Sequence, residues 1–195
     1  MIRKPANQQH HGNLREALIL AGLQILETEG LKALTLRRCA KLAGVSHAAP
    51  THHFEGLPGL KSAIATRGYG IFERLMIEGI EAEDTPRGRV LGMCRGYLRF
   101  ATEHRALFNL IFVSPRDFPP DEERMAAAAS ARRVLTQTCA ELRHGAGGSS
   151  TTEVAVWSLV HGFAKLIEIE RVVPGSGDAR DVDFDNVFSF LDVRA

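Results

Sequence analysis

Between Asn13 and Glu29, apolar residues return every three or four positions, at Leu14, Leu18, Ala21 and Ile25. That spacing predicts an amphipathic helix, with Asn13 placed to cap its start and Gly30 to stop it. A second run, "TLRRCAKLAG", predicts a short helix capped by Thr35 and closed by Gly44, with Leu36, Cys39, Ala40 and Leu42 turned inward. Ser46 then stands where a third short helix would be capped, and Pro58 where a long amphipathic one, "PGLKSAIATRGYGIFERLMIEGIEA", would open. "TPRGRVLGMCRGYLRFATEHRALFNLIFV" supplies two helices that break near residues 103–105. Asp121–His144 reads as a helix with acids in its first turn and Arg143 and His144 at its end. After the glycine- and serine-rich linker "GAGGSS" comes a last long helix over Thr151–Val173, then a short segment, "DVDFDNVFSFLDV". No stretch alternates as a strand does, so the pattern predicts an all-α protein. Its organisation is a flexible arm (1–12), a compact three-helix head (13–57) and a larger helical body (58–195).

The head contains the most specific local pattern. Two helices joined by a tight corner containing glycine, "AGVS" at Ala43–Ser46, form the helix-turn-helix signature. Gly44 permits the sharp turn, Val45 plugs the corner, and Ser46 starts a second helix whose first residues would point into a DNA major groove. The residues offered there, His47, Ala48, Ala49, Thr51 and His52, are small or hydrogen-bonding, which suits close approach to base edges. Pro50 lies about four residues into that helix, where its ring and missing N–H distort the backbone and keep the helix short.

Charge supports the same reading. Net charge is only +1, yet residues 1–66 carry eight Lys/Arg against four Glu, while the other 129 carry sixteen against nineteen acids. A basic end on a mildly acidic body suits polyanion binding. No apolar run approaches the roughly 20 residues that cross a bilayer, so no membrane is expected as partner. The chain's start has no apolar signal segment, and a cytoplasmic location is expected. Cys39, Cys94 and Cys139 are widely spaced and without a CxxC pair, so they read as reduced core residues.

Enzyme and metal readings find little support in the sequence. His52 and His53 are adjacent, and neighbouring helical side chains point about 100° apart, so the two do not converge on one ion. No nucleophile–base motif and no phosphate loop after a strand occurs. The expectation is a non-enzyme with no cofactor and no metal.

With these residues in view, "ALILAGLQILETEGLKALTLRRCAKLAGVSHAAPTHHF" resembles the DNA-binding head of the tetracycline-repressor (TetR) family. The body resembles the ligand-binding half of a subgroup of that family, through "YLRFATEHRALFNLIF" and the Trp-His-Gly stretch "VWSLVHGF". The resemblance implies a homodimeric regulator, most simply a repressor, that reads a palindromic double-stranded operator and is released by a small apolar effector. Placed on this chain, the DNA-binding set is Thr35, Arg37, Ser46, His47, Ala48, Thr51, His52, His53 and Lys61. An effector would sit among Met93, Tyr97, Phe100, Phe108, Phe112, Trp157 and His161. Subunits would pair through Ala127, Ala131, Leu135, Val156, Val160 and Phe163 on the helices Asp121–His144 and Thr151–Val173, where Ala126–Ala129 and Ala131 permit tight helix approach. Gly162 would let another helix approach closely, which favours ordinary packing around Trp157 and His161.

Two positions depart from the family pattern. Thr51 stands where members usually place a phosphate-touching tyrosine, and Leu57 where they often place lysine. Arg37, Lys61 and the arm's Arg3 and Lys4 are the available compensation. The competing reading is a helical small-molecule-binding or scaffold protein with a degenerate DNA-binding head.

Overall fold

The computed structural model of the chain describes residues 8–113, 118–142, 148–168 and 182–189. Among these the fold is all helical: α1 (Gln8–Glu29), α2 (Leu36–Leu42), α3 (Gly56–Glu81), α4 (Pro86–Glu103), α5 (Arg105–Val113), α6 (Glu122–Ala140), α7 (Gly148–Glu168) and α8 (Phe184–Phe188). Short 3₁₀ turns cover Leu31–Ala33 and Ala49–His52. Helix α1 starts five residues before Asn13, so that residue is interior to the helix and not its cap. Gly30 does end α1, and the Thr35 side chain accepts a hydrogen bond from the Arg38 amide at 3.3 Å to cap α2. Helix α3 begins at Gly56, which puts Pro58 inside its first turn. Arg3 and Lys4 of the expected arm, and Arg143, His144 and Val173 at the expected helix ends, lie outside the described residues. The later part of that arm, from Gln8, is helical.

The chain divides into two compact units, and the division is not at residue 57. One unit comprises the residues up to Gly68 together with Ala106–Arg124; the other comprises Tyr69–Arg105 and the chain from Met125 onward. Helix α3 runs through the boundary, and so does α6 after its first turn. A head drawn from local pattern alone misses α5 and the start of α6, because membership of a core depends on packing that no short window contains.

In the first unit Leu18, Leu26, Leu34, Cys39, Ala40, Leu60 and Ile64 are withdrawn from water. Leu18, Ala21 and Ile25 are buried as their spacing requires. Leu42 is not: it is 47% exposed at the very end of α2, where the chain has already begun to turn away.

In the second unit α4 packs against α7, and α8 packs against α4. Arg95 ties these together by reaching Glu83 at 2.7 Å and also the Asp185 carboxylate. The ring of Phe184 on α8 meets Phe163 on α7 at 5.2 Å between centroids. The end of α3 and the body of α4 touch backbone to backbone: a methyl group added at Gly79 or Gly92 would overlap the carbonyl of the other, and one at Gly96 would overlap the carbonyl of Leu75. All three cysteines are free and buried, as expected of core residues. Burial pushes the Cys139 thiol up to about 12, which leaves it protonated and inert.

Candidate nucleic-acid interface

Helix α2 ends in a backbone device that aims the chain beyond it. Gly44 takes a left-handed conformation (φ 69°) that side chains disfavour. Its N–H donates to the Lys41 carbonyl at 3.2 Å, and the Val45 N–H donates to the Ala40 carbonyl at 3.0 Å. These two bonds are a Schellman cap, which satisfies the last carbonyls of α2 and swings the chain out of the helix.

Beyond Val45 the chain does not form the α-helix that Ser46 was expected to cap. The Ser46 carbonyl accepts from the Ala49 N–H at 3.1 Å, three residues on, and Ala48 accepts from Thr51 at 3.2 Å. The helical part is a four-residue 3₁₀ turn, Ala49–His52, with no side-chain cap at its start. Pro50 explains this. An α-helix begun at Ser46 would need its first i to i−4 bond from residue 50, which has no N–H, and the proline ring would strike the Ser46 carbonyl. The tighter i to i−3 pattern avoids both. The Thr51 hydroxyl, donating to the Ala48 carbonyl at 2.7 Å, holds the turn from its own side chain.

Pro50 is buried and anchors the turn, which leaves Ser46, His47, Ala48, Thr51 and His52 exposed. Thr35 and Arg37 are also exposed, while His53 and Lys61 are half-buried. The turn closes when the His53 and Phe54 N–H groups both donate to the Pro50 carbonyl, at 3.1 and 2.9 Å. Lys41 is a further exposed cation on α2, absent from the predicted site although its spacing four residues from Arg37 was legible. Arg38, in contrast, is committed: its guanidinium grips both carboxylate oxygens of Glu29, at 2.5 and 2.6 Å.

The second unit holds a polar knot in an aromatic setting. Tyr97 of α4 is 4% exposed, and its hydroxyl meets His161 Nδ1 of α7 at 2.7 Å. The Trp157 indole, which can only donate, lies near that hydroxyl and opposes the rise that burial imposes on it. Which of Tyr97 and His161 donates in that bond follows from the imidazole tautomer. Phe72, which spacing along the chain did not single out, stands edge-on to Tyr97 at 4.9 Å and lies 5.1 Å from Phe100. Arg132 covers the Trp157 ring at 5.5 Å and pairs with Glu153 at 3.0 Å.

Burial holds the His161 imidazole below its ordinary range, and nearby Lys165 adds to the effect against the opposing Glu168. The unfolded chain then binds more protons than the folded one as pH falls below about 6.5, so His161 lowers stability towards acid. We expect the melting temperature to drop more steeply from pH 7 to pH 5 in the native protein than in His161→Gln; identical curves would remove His161 from the balance.

The Tetracyclin repressor-like C-terminal domain family matches residues 90–186. The HTH-type transcriptional regulator BetI of Rhizobium meliloti (strain 1021) is 31% identical over 132 residues, covering 66% of this chain. The chain spans 64% of the length of that relative. A solved structure from Rhodococcus sp. RHA1, of unknown function, superposes with a TM-score of 0.75 at 25% identity over 94% of both chains. The reduced form of E. coli NemR shares the fold, with a TM-score of 0.63 at 18% identity over 92% and 96% of the two chains. Residues 90–186 thus match a TetR-family domain, and the chain shares its fold with TetR-family regulators such as that of Bordetella parapertussis 12822, at a TM-score of 0.60 and 16% identity over 92% and 95% of the two chains.

All nine predicted DNA-binding residues lie in the first unit, with Ser46 as an exposed turn residue in place of a cap. Of the predicted effector set, Met93, Tyr97, Phe100, Trp157 and His161 belong to the second unit, and Phe108 and Phe112, 4.9 Å apart, to the first. The predicted subunit-contact residues need correcting. Ala131, Leu135, Val156, Val160 and Phe163 are between 1% and 8% exposed inside a single protomer, so their area is already used; only Ala127 is partly open. Spacing identified an apolar face on each helix but not which neighbour covers it. Gly162 likewise has open space beside it among the described residues.

Proposed function

We propose that this chain is a ligand-responsive DNA-binding regulator of the TetR family, most simply a repressor, acting as a homodimer on a palindromic operator. The observation that carries the reading is the exposed, small-residue turn at 47–52, fixed by the Gly44 cap and flanked by the cations of α2. The relative BetI is named as an HTH-type transcriptional regulator, which supports the same reading. In it, Arg37, Lys41 and Lys61 bind phosphates, while His47, Ala48, Thr51 and His52 face base edges. Trp157, His161 and Gly162 would place the body in the Trp-His-Gly subgroup. The Tyr97–His161–Trp157 knot then offers a small, largely apolar effector its polar handle. No catalytic role is assigned.

Dimer contact falls to the outer face of α7, where Val154, Ser158, Gly162 and Leu166 succeed one another every four residues. Val154 is 56% and Leu166 40% exposed, and Gly162 lets a second copy approach closely. Such a pair presents two reading turns about 34–36 Å apart, one DNA turn. Selecting duplexes from a random pool tests the proposal: an enriched palindrome is expected, and a pool without one rejects it in favour of a helical binding protein with a degenerate head. The 3₁₀ turn and the missing tyrosine and lysine at Thr51 and Leu57 are what favour that second reading.

Thr51→Tyr adds a phosphate-bonding group and keeps the backbone bonds of the turn, at the loss of the Thr51 hydroxyl's bond to the Ala48 carbonyl. We expect affinity to rise about fivefold per head, to the same degree on operator and unrelated duplexes, since one net hydrogen bond is worth about 1 kcal/mol. A gain confined to the operator would show that position 51 reads bases instead.

A further inference from the structure

Ser62, one residue past Lys61 on α3, has no solvent exposure. Its hydroxyl donates to Asp121 Oδ2 at 2.7 Å and accepts from Arg124 Nε at 3.1 Å, so groups of opposite charge use both of its roles. A buried hydroxyl needs such partners, and bonds to charged groups are the stronger kind. Asp121 also accepts from the Arg124 N–H at 3.1 Å, which caps α6. The Arg124 guanidinium lies 4.8 Å from the centre of the Phe118 ring and reaches the Pro119 carbonyl at 3.5 Å. The Ser62 hydrogen bond is the main reason that the Asp121 carboxyl is held below the usual carboxylate range.

A second connection arrives at the reading turn from the other side. Arg15 of α1 stands 5.7 Å from the centre of the Phe54 ring and pairs with Glu123 at 3.2 Å. Phe54 is 7% exposed and closes the turn through its bond to Pro50. The Arg15–Glu123 pair is solvated and adds little by itself, so the Ser62 cluster carries the connection. The first turn of α6 thus grips the first unit at two points: at Ser62, next to Lys61 in the chain, and through Arg15, whose guanidinium lies by Phe54.

We propose that Asp121 and Arg124, acting through Ser62, are positioning residues that hold the reading turn and Lys61 in the geometry DNA requires, without touching DNA themselves. The proposal rests on the DNA-binding reading above. It separates the 121–124 turn, which serves the head, from the rest of α6, and it explains why that turn belongs to the compact unit of the head.

The test compares Ser62→Ala, Asp121→Asn, their double variant and Lys61→Gln as full chains. Operator affinity is titrated over a salt series, and amide hydrogen exchange is measured without DNA. Ser62→Ala is expected to lower operator affinity about tenfold with an unchanged salt slope, because it removes no phosphate contact. Asp121→Asn keeps the helix cap and should act in the same direction, with the double variant little worse than Ser62→Ala. Amides of residues 51–57 should exchange faster in these variants. Lys61→Gln should reduce the salt slope by about one per head and leave that exchange unchanged. Affinity within twofold of the native protein, or a shallower salt slope in Ser62→Ala, would overturn the positioning role; unchanged exchange would overturn the grip itself. If the native chain selects no duplex, the DNA-binding reading falls and takes the DNA part of this proposal with it, while exchange still decides whether the first turn of α6 holds the turn.

Discussion

Operator affinity falls about a thousandfold when salt is raised from about 50 to 200 mM, if the exposed Arg37 and Lys41 and the half-buried Lys61 do what their placement implies. Each phosphate neutralised releases condensed counterions, so the logarithm of affinity drops with the logarithm of salt by about 0.9 per contact. Arg37, Lys41 and Lys61 supply about three contacts per head and six per dimer, which gives a slope of about −5. Arg38 is left out because its Nη2 holds both carboxylate oxygens of Glu29 and its Nη1 donates to the Ala33 carbonyl. Arg37→Gln should therefore flatten the slope by about two, one unit for each head, whereas Arg38→Gln should change it little. Titration of a selected duplex at four or five salt concentrations decides the matter. A slope near zero would mean that the basic surplus of the first 66 residues is an ordinary solvated surface.

Gly96→Val should be the most damaging single substitution on α4. Glycine inside a helix costs about 0.5–1 kcal/mol relative to alanine, so glycines at positions 92 and 96 weaken the helix taken alone. They are tolerated because α3 comes close enough to fill the space: a Cβ at residue 96 would overlap the Leu75 carbonyl, and one at 92 the carbonyl of Gly79. Backbone, unlike the far end of a flexible side chain, cannot swing aside. Valine at 96 must push the two helices apart, at a cost of about 3 kcal/mol or more, near the upper range for overpacked sites. For a domain of this size that corresponds to a melting temperature lower by about 6–12 °C. Gly70 is the control, since a Cβ there meets nothing within 4 Å. Gly70→Ala on α3 should be neutral or stabilising by about 1 kcal/mol. Equal melting temperatures for Gly96→Val and the native protein would mean that the helices are not in backbone contact.

Much of this fold could be read directly. The helix ends at Gly30, Thr35, Gly44 and the break at 103–105 depend on capping chemistry contained in a few consecutive residues, and each appears where expected. The reading turn was only half legible. Pro50 announced a distortion, but whether Ser46 would still cap an α-helix turned on a competition between two hydrogen-bond patterns around one carbonyl, and the tighter pattern prevailed. The dimer residues went astray for a different reason. An apolar stripe on α6 or α7 looks the same whether a helix of its own chain or a second subunit covers it. Val156, Val160 and Phe163 face inward, and the weaker, broken row at Val154, Ser158, Gly162 and Leu166 faces out.

Local chemistry, which acts over three or four residues, made the chain helical, placed its corner at Gly44 and concentrated its positive charge at one end; those properties are written in the order of the residues. Distance along the chain hides the rest. The pairing of Ser62 with Asp121 and Arg124, of Tyr97 with His161, and of Gly96 with the Leu75 carbonyl joins groups that stand far apart along the chain. Only packing of a complete core brings such groups together, because the free energy that selects their arrangement comes from burying many side chains at once and resides in no single segment.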